Sequence, residues 1–171
     1  MTRYFVTGGT GFIGGRVVRQ LIEDNHNVVA IARDPARATD LNALGVRVVR
    51  SDVTDKDSLR QPMTGVDGVF HLAGWYRIGA RDKTPAMRIN VEGTRNVLEV
   101  VRELDIPRTM YTSTLAINSD THGVIVDETY TYHGPWLSEY DHTATIQEVL
   151  HLAERITGIH FAPTGVSRPV C

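Results

Sequence analysis

Residues 7 to 14 read Thr-Gly-Gly-Thr-Gly-Phe-Ile-Gly, and they follow directly on a short apolar run, Tyr4-Phe5-Val6. This segment restricts the chain more than any other. Its glycines at 8, 9, 11 and 14 satisfy both a G-x-x-G-x-x-G and a G-x-G-x-x-G spacing. Such glycines serve a turn with positive φ, a close approach of backbone to a phosphate, and tight packing of a helix on a strand. After the loop, Phe12, Ile13, Val17, Val18, Leu21 and Ile22 recur at helical spacing. A helix starting there points its free N–H groups at an anion. With a strand before it and an amphipathic helix after it, the loop is expected to hold a dinucleotide pyrophosphate. Thr7, Gly8, Gly11, Phe12, Ile13 and Gly14 are its candidate residues.

The same alternation continues along the chain. Val28–Ala32 is a continuous apolar run, as expected of a parallel strand covered on both faces. A short helix is expected from Asp34-Pro35 to about Leu44, stopped by Gly45. Strands at Val46–Val49 and Gly68–Leu72 flank a helix over Asp55–Met63. A helix over about Ala86–Leu104 leads to a fifth strand, Thr109–Thr114. Asn118 to Pro135 reads as loop. Ser138 can cap a helix running to about Ile156, and Ile159–Ala162 would be a sixth strand. The pattern predicts an α/β fold, a doubly wound parallel sheet of Rossmann type. Ligands bind such sheets at the carboxyl ends of the strands.

Other classes of function find little support. The net charge of −2 recommends neither nucleic acid nor an anionic membrane as partner. No apolar run approaches the roughly 18 residues that span a bilayer. One cysteine, Cys171, gives no intrachain disulfide, and the start of the chain does not read as a signal peptide. A cytoplasmic protein is the expectation. The seven histidines show no metal-ligand spacing, so no metal site is expected.

The end of the second strand bears on the cofactor. An NAD-preferring site places an acidic residue there for the ribose 2′-OH. Here Ala32 stands at that position and Arg33 follows, with Arg37 one turn on. A guanidinium pairs bidentately with a 2′-phosphate, so NADP is favoured. Asp34, displaced by two residues, keeps NAD open.

Taken in order, Thr7–Gly14, Arg33-Asp34-Pro35, Ser51-Asp52-Val53-Thr54-Asp55, Val69-Phe70-His71-Leu72-Ala73-Gly74, Asn90-Val91-Glu92-Gly93-Thr94, Tyr111–Thr114 and Tyr140 give the chain a family likeness. It resembles the extended or atypical short-chain dehydrogenase/reductases, the NAD-dependent epimerase/dehydratase group, and within it the dihydroflavonol reductase-like branch. The resemblance implies that Asp52 accepts a hydrogen bond from adenine with Val53 beside the ring. It implies that the His71–Gly74 segment, with Leu72, Ala73 and Gly74, passes beside the nicotinamide ribose, and that Asn90 is structural, tying its helix to a neighbouring strand. It also implies an NAD(P)-dependent oxidoreductase acting on a small carbonyl compound or secondary alcohol.

The resemblance supplies a catalytic set as well. A Tyr hydroxyl exchanges a proton with the substrate oxygen, and a Ser or Thr hydroxyl holds that oxygen. A Lys four residues after the Tyr binds the ribose and assists the Tyr. A free phenol has a pKa near 10, too high for ready exchange at pH 7, and a nearby cation favours its anion. Tyr140 fits the first role and Thr114 the second, with Ser113 as the alternate. The lysine position is Ala144. The chain has only two lysines. Lys56 falls on the wrong side of the sheet order, and Lys83 lies in the loop after strand four.

One nucleotide-binding domain over 1–171 is expected, family-like to about residue 143. Residues 144–171 read as diverged or truncated, and the family's substrate domain as largely absent. Two readings follow: an oxidoreductase, or a catalytically impaired NADP-binding module. Apolar surface left bare near the sheet's mouth or last strand would allow a homo-oligomer.

Overall fold

The computed structural model describes residues 1–77, 79–127 and 130–145. Five strands form one parallel sheet: β1 (Arg3–Thr7), β2 (Asn27–Ala32), β3 (Arg47–Arg50), β4 (Gly68–His71) and β5 (Thr109–Tyr111), in the order β3-β2-β1-β4-β5. The helices are α1 (Phe12–Glu23), α2 (Thr39–Ala43), α3 (Lys56–Met63), α4 (Thr84–Ala86), α5 (Thr94–Glu103) and α6 (Glu139–Thr145). Succession steps outward from β1 to β3 and then crosses back to β4. The switch point therefore lies between β1 and β4, at their carboxyl ends, where the glycine loop emerges.

Alternate residues of the central strands feed two cores. Phe5, Val29, Ile31 and Val69 point to one face and pack with Leu59 and Met63 of α3 and Val97, Val100 and Val101 of α5. Val6, Val28 and Ala30 point to the other and meet Val18 and Leu21 of α1 and Leu41 of α2. This two-sided burial explains why the strands read as continuous apolar runs.

Three expected elements take a different shape. The helix expected over Asp34–Leu44 splits into a 3₁₀ turn, Pro35–Arg37, and α2. Asp34 caps the turn by accepting from the Ala36 N–H at 3.2 Å, and Ala38 at the break sinks into the core. The helix expected from Ala86 begins at Thr84 and widens into a π-type segment, Met87–Gly93, before α5. Asn90, Val91, Gly93 and Thr94 are all buried. A regular α-helix presents a narrower inward stripe than those neighbours demand. β5 stops at Tyr111 because β4 stops at His71; beyond that pair no ladder partner remains. Thr114 then caps a 3₁₀ turn, Leu115–Asn118. Ser138 does cap α6, its Oγ accepting from the Asp141 N–H at 3.1 Å. The continuation of that helix to Ile156 and the sixth strand at Ile159–Ala162 lie outside the described residues, as does the stretch read as diverged beyond Thr145.

Candidate functional site

The glycine loop is tightened by its own backbone. Gly8 has φ +69° and lies so close to β4's exit that a Cβ would sit 2.7 Å from Ala73 N and Leu72 C. A Cβ on Gly14 would come within 2.1 Å of the Gly8 carbonyl oxygen. Gly11 differs. It has extended backbone, and a Cβ there would meet only the Gly8 oxygen, at 3.2 Å. Gly8 and Gly14 are required by packing; Gly11 faces open space.

That space is two connected cavities at the carboxyl ends of the strands. One, of about 280 Å³, touches Gly8, Thr10 and Gly11, Ala32 and Arg33 after β2, Asp52 and Val53 after β3, and Leu72–Gly74 after β4. The other, of about 580 Å³, shares Gly8, Gly11 and Leu72–Gly74 and adds Phe12, Ile13 and Gly14, Tyr111–Thr114 and Tyr140. Thus Gly8, Gly11, Phe12, Ile13, Gly14, Arg33, Asp52, Val53, Leu72, Ala73, Gly74, Ser113, Thr114 and Tyr140 line one continuous cleft. Two of the expected residues do not. Arg37 lines a separate small cavity beyond Thr10 and Gly11. Thr7 is fully buried beneath the loop, where it accepts from the Leu72 and Ala73 N–H groups at 3.1 Å each.

Thr7 belongs to a buried network the sequence did not announce. Its Oγ1 lies 2.6 Å from His71 Nδ1, and His71 Nε2 lies 2.9 Å from Thr94 Oγ1. Since Thr7 already accepts two N–H bonds, its own proton goes to Nδ1. His71 therefore carries its proton on Nε2 and donates to Thr94, which donates to the Asn90 carbonyl at 2.7 Å. Burial pushes the imidazole down to about 4. Asn90 extends the chain of contacts. Its side chain accepts from Trp75 N at 2.7 Å and donates to Trp75 O at 3.1 Å and to Thr143 Oγ1 at 3.0 Å. Thr143 lies one turn of α6 from Tyr140, so the network carries β4's exit through to that tyrosine's helix. Asn90 thus ties its helix to the segment after β4 and to α6, rather than to a strand, and lines the cleft as well.

Tyr140 meets the ring edge of Tyr76, centroids 5.2 Å apart. Tyr111 stacks on His71 at 5.5 Å; burial pushes its phenol up, Thr94's hydroxyl opposes this, and neighbouring Tyr140 adds to the rise. The Thr114 hydroxyl accepts from Ala116 N at 3.2 Å and keeps its proton for another acceptor. Ala144 lines the same cavity as Tyr140. Neither lysine takes its place: Lys56 is clamped by Glu103 at 2.7 Å and by Glu99, and Lys83 is exposed and lines neither cavity. His142 turns to Trp136 and Glu139. At the other end, Asp34 spends a carboxylate oxygen on its cap, and Asp52 Oδ1 accepts from Thr54 N at 2.9 Å.

Residues 4–162 match the NAD dependent epimerase/dehydratase family. The chain belongs to that family. This epimerase/dehydratase chain is 41% identical over 128 residues to a Synechocystis sp. protein carrying a provisional dihydroflavonol 4-reductase name, covering 74% of this chain and 37% of that one. It is 33% identical over 151 residues to a 2-alkyl-3-oxoalkanoate reductase of Shewanella oneidensis, covering 86% and 38%. Its fold matches a dTDP-glucose 4,6-dehydratase double mutant of Streptomyces venezuelae, solved with NAD bound, at TM-score 0.79 and 24% identity, covering 92% of this chain and 53% of that one. The epimerase/dehydratase chain thus spans less than two fifths of these curated relatives. Among its described residues, no helix is long and apolar enough to cross a membrane.

Proposed function

We propose that the chain is the cofactor-binding and proton-transfer half of an NADP-dependent oxidoreductase that interconverts a ketone and a secondary alcohol. The observation that carries this reading is the shared cleft: Tyr140, Thr114 and Ser113 line the same cavity as the glycine loop and Ala73. The residues present fit a dinucleotide. Gly11 leaves its side of the loop bare, and α1 begins there. Arg33 lines the neighbouring cavity, and no ion pair among the described residues engages it. Asp52 and Val53 would face adenine, and Arg33 a 2′-phosphate. The Streptomyces dehydratase of like fold was solved with NAD bound, which supports a dinucleotide as the ligand.

When bound, the cofactor supplies or accepts hydride at the substrate carbon. The protein's part is the oxygen. Thr114 donates to it, and in the reducing direction Tyr140 gives up its hydroxyl proton and regains one from solvent. Phe12, Ile13 and Tyr76 wall the cleft with apolar surface.

Ala144 favours a second reading, a nucleotide binder with impaired chemistry. One experiment separates the two. Calorimetric titration with NADP and NAD tests binding, and NADPH oxidation with small ketones and aldehydes tests turnover. Tighter NADP binding, weakened by roughly 1.5–3 kcal/mol in Arg33→Ala, is expected. Turnover lost in Tyr140→Phe supports the enzyme; binding without turnover supports the binder; failure to bind either nucleotide defeats both.

A further inference from the structure

Tyr76 and Tyr140 line the larger cavity together, and their rings meet edge to face at 77°. Tyr140 belongs to α6, whereas Tyr76 comes from the segment after β4 and is 66% exposed. We propose that Tyr76 is a specificity-determining residue, whose ring selects an uncharged ketone with an apolar group beside the carbonyl over one that carries an anion there. The proposal rests on the oxidoreductase reading above and adds to it the chemical class of the substrate.

Three observations converge on Tyr76. The first is its footing. The residue before it, Trp75, has both backbone groups held by the side chain of Asn90, which is only 6% exposed. The other amide hydrogen of Asn90 goes to Thr143, and Thr143 donates to the Glu139 carbonyl at 2.9 Å, bracing the turn of α6 that bears Tyr140. One buried side chain therefore sets the backbones beneath both rings. Tyr76 is an exposed ring on a fixed base. The second is charge. Among the described residues, no Lys, Arg, His, Asp or Glu lines this cavity. Arg77, Arg81 and Lys83 follow Tyr76 in the chain but stand outside the lining, and Arg33 belongs to the neighbouring cavity. An anion placed here would lose water and gain no cation. The third is apolar surface. Phe12 and Ile13 line the same cavity and, like Tyr76, remain in contact with water. An apolar group covering these side chains is favoured by the area it removes from water, while Thr114 and Tyr140 take the carbonyl oxygen.

The test uses the whole chain with NADP and a matched pair of ketones, methyl phenylglyoxylate and phenylglyoxylate, an uncharged ester and its carboxylate. Binding is followed by saturation-transfer NMR, so no turnover is needed, and NADP affinity is measured beside it by calorimetry. The ester is expected to bind at least tenfold more tightly than the acid. Tyr76→Ala should erase most of that preference, Tyr76→Phe should keep it within twofold, and Tyr76→Arg should move it at least tenfold towards the acid. Because Tyr76 is exposed, the melting temperatures of these variants should match the parent's. Equal binding of ester and acid by the parent, a preference that survives in Tyr76→Ala, or no binding of either ketone to the NADP-loaded chain overturns this proposal and spares the cofactor reading. Failure of the parent to bind NADP overturns both.

Discussion

Thr7 Oγ1 and His71 Nδ1 lie 2.6 Å apart, wholly buried between the glycine loop and the exit of β4. This pair fixes two things together. It sets the imidazole tautomer, and it anchors the Leu72 and Ala73 N–H groups that shape the cleft floor. The imidazole must stay neutral to accept the Thr7 proton.

A pH dependence of stability follows. The folded-state value of His71 is lowered to about 4 from an ordinary 6.5. Between these values the unfolded chain takes up a proton that the folded chain refuses. Stability should therefore fall as pH drops from 6.5 towards 4, by up to about 3 kcal/mol from this group. Denaturant midpoints across that range check it. His71→Gln should be less stable near neutrality and show a flatter profile.

The glycines separate binding from folding. Gly11→Val should abolish dinucleotide binding with little loss of stability, because its side chain points into the cavity. Gly14→Ala should instead unsettle the fold, since its methyl group would drive into the Gly8 carbonyl. Circular dichroism melts beside calorimetric titrations distinguish the two. Equal NADP affinity in Gly11→Val would reduce the loop to a turn.

Ala144→Lys should raise NADPH-dependent ketone reduction. Position 144 is one helical turn from Tyr140 on the same cavity wall. A cation there favours the phenolate and eases proton transfer, by roughly a hundred- to a thousandfold or about 3–4 kcal/mol. Partial recovery of that factor is expected, seen in initial rates from pH 6 to 10. Brisk turnover by the parent chain, with no gain in the variant, would mean another group does the lysine's work.

Self-association is the fourth expectation. β5 is an edge of the sheet among the described strands, and its Met110 is 51% exposed. Phe12 and Leu115 are 78% and 80% exposed at the mouth. Light scattering on eluted fractions should find dimers or larger species, reduced in Met110→Lys.

Much of the fold was readable in the sequence because it is written in local patterns. The apolar runs at Val28–Ala32 and Gly68–Leu72 and the glycine spacing at 8, 11 and 14 each express a nearby geometric need. The candidate residues on strand ends converged because a parallel sheet brings its carboxyl ends together. What escaped was set by distant partners. The π-type segment at Met87–Gly93 answers to Trp75 and Thr143, which no periodicity of its own helix reveals. His71 looked like a strand end, and its role depends on Thr7 and Thr94, 64 and 23 residues away. Arg37 was expected beside Arg33 and lines instead a small separate cavity, because the helix expected there breaks at Ala38.

The Gly8 carbonyl accepts from the Gly11 N–H at 2.9 Å and fills the space a Gly14 Cβ would need, so the loop is braced against β4 and α1. A loop braced this way has little room to change shape. Its contribution to recognition is preorganisation: association need not freeze a mobile segment, and the loop cannot remould itself to a misfit guest. The diphosphate is measured against a fixed gauge. Selectivity among nucleotides and among substrates would then fall to the two ends of the cleft, to Arg33 at one and to the hydroxyls around Tyr140 at the other.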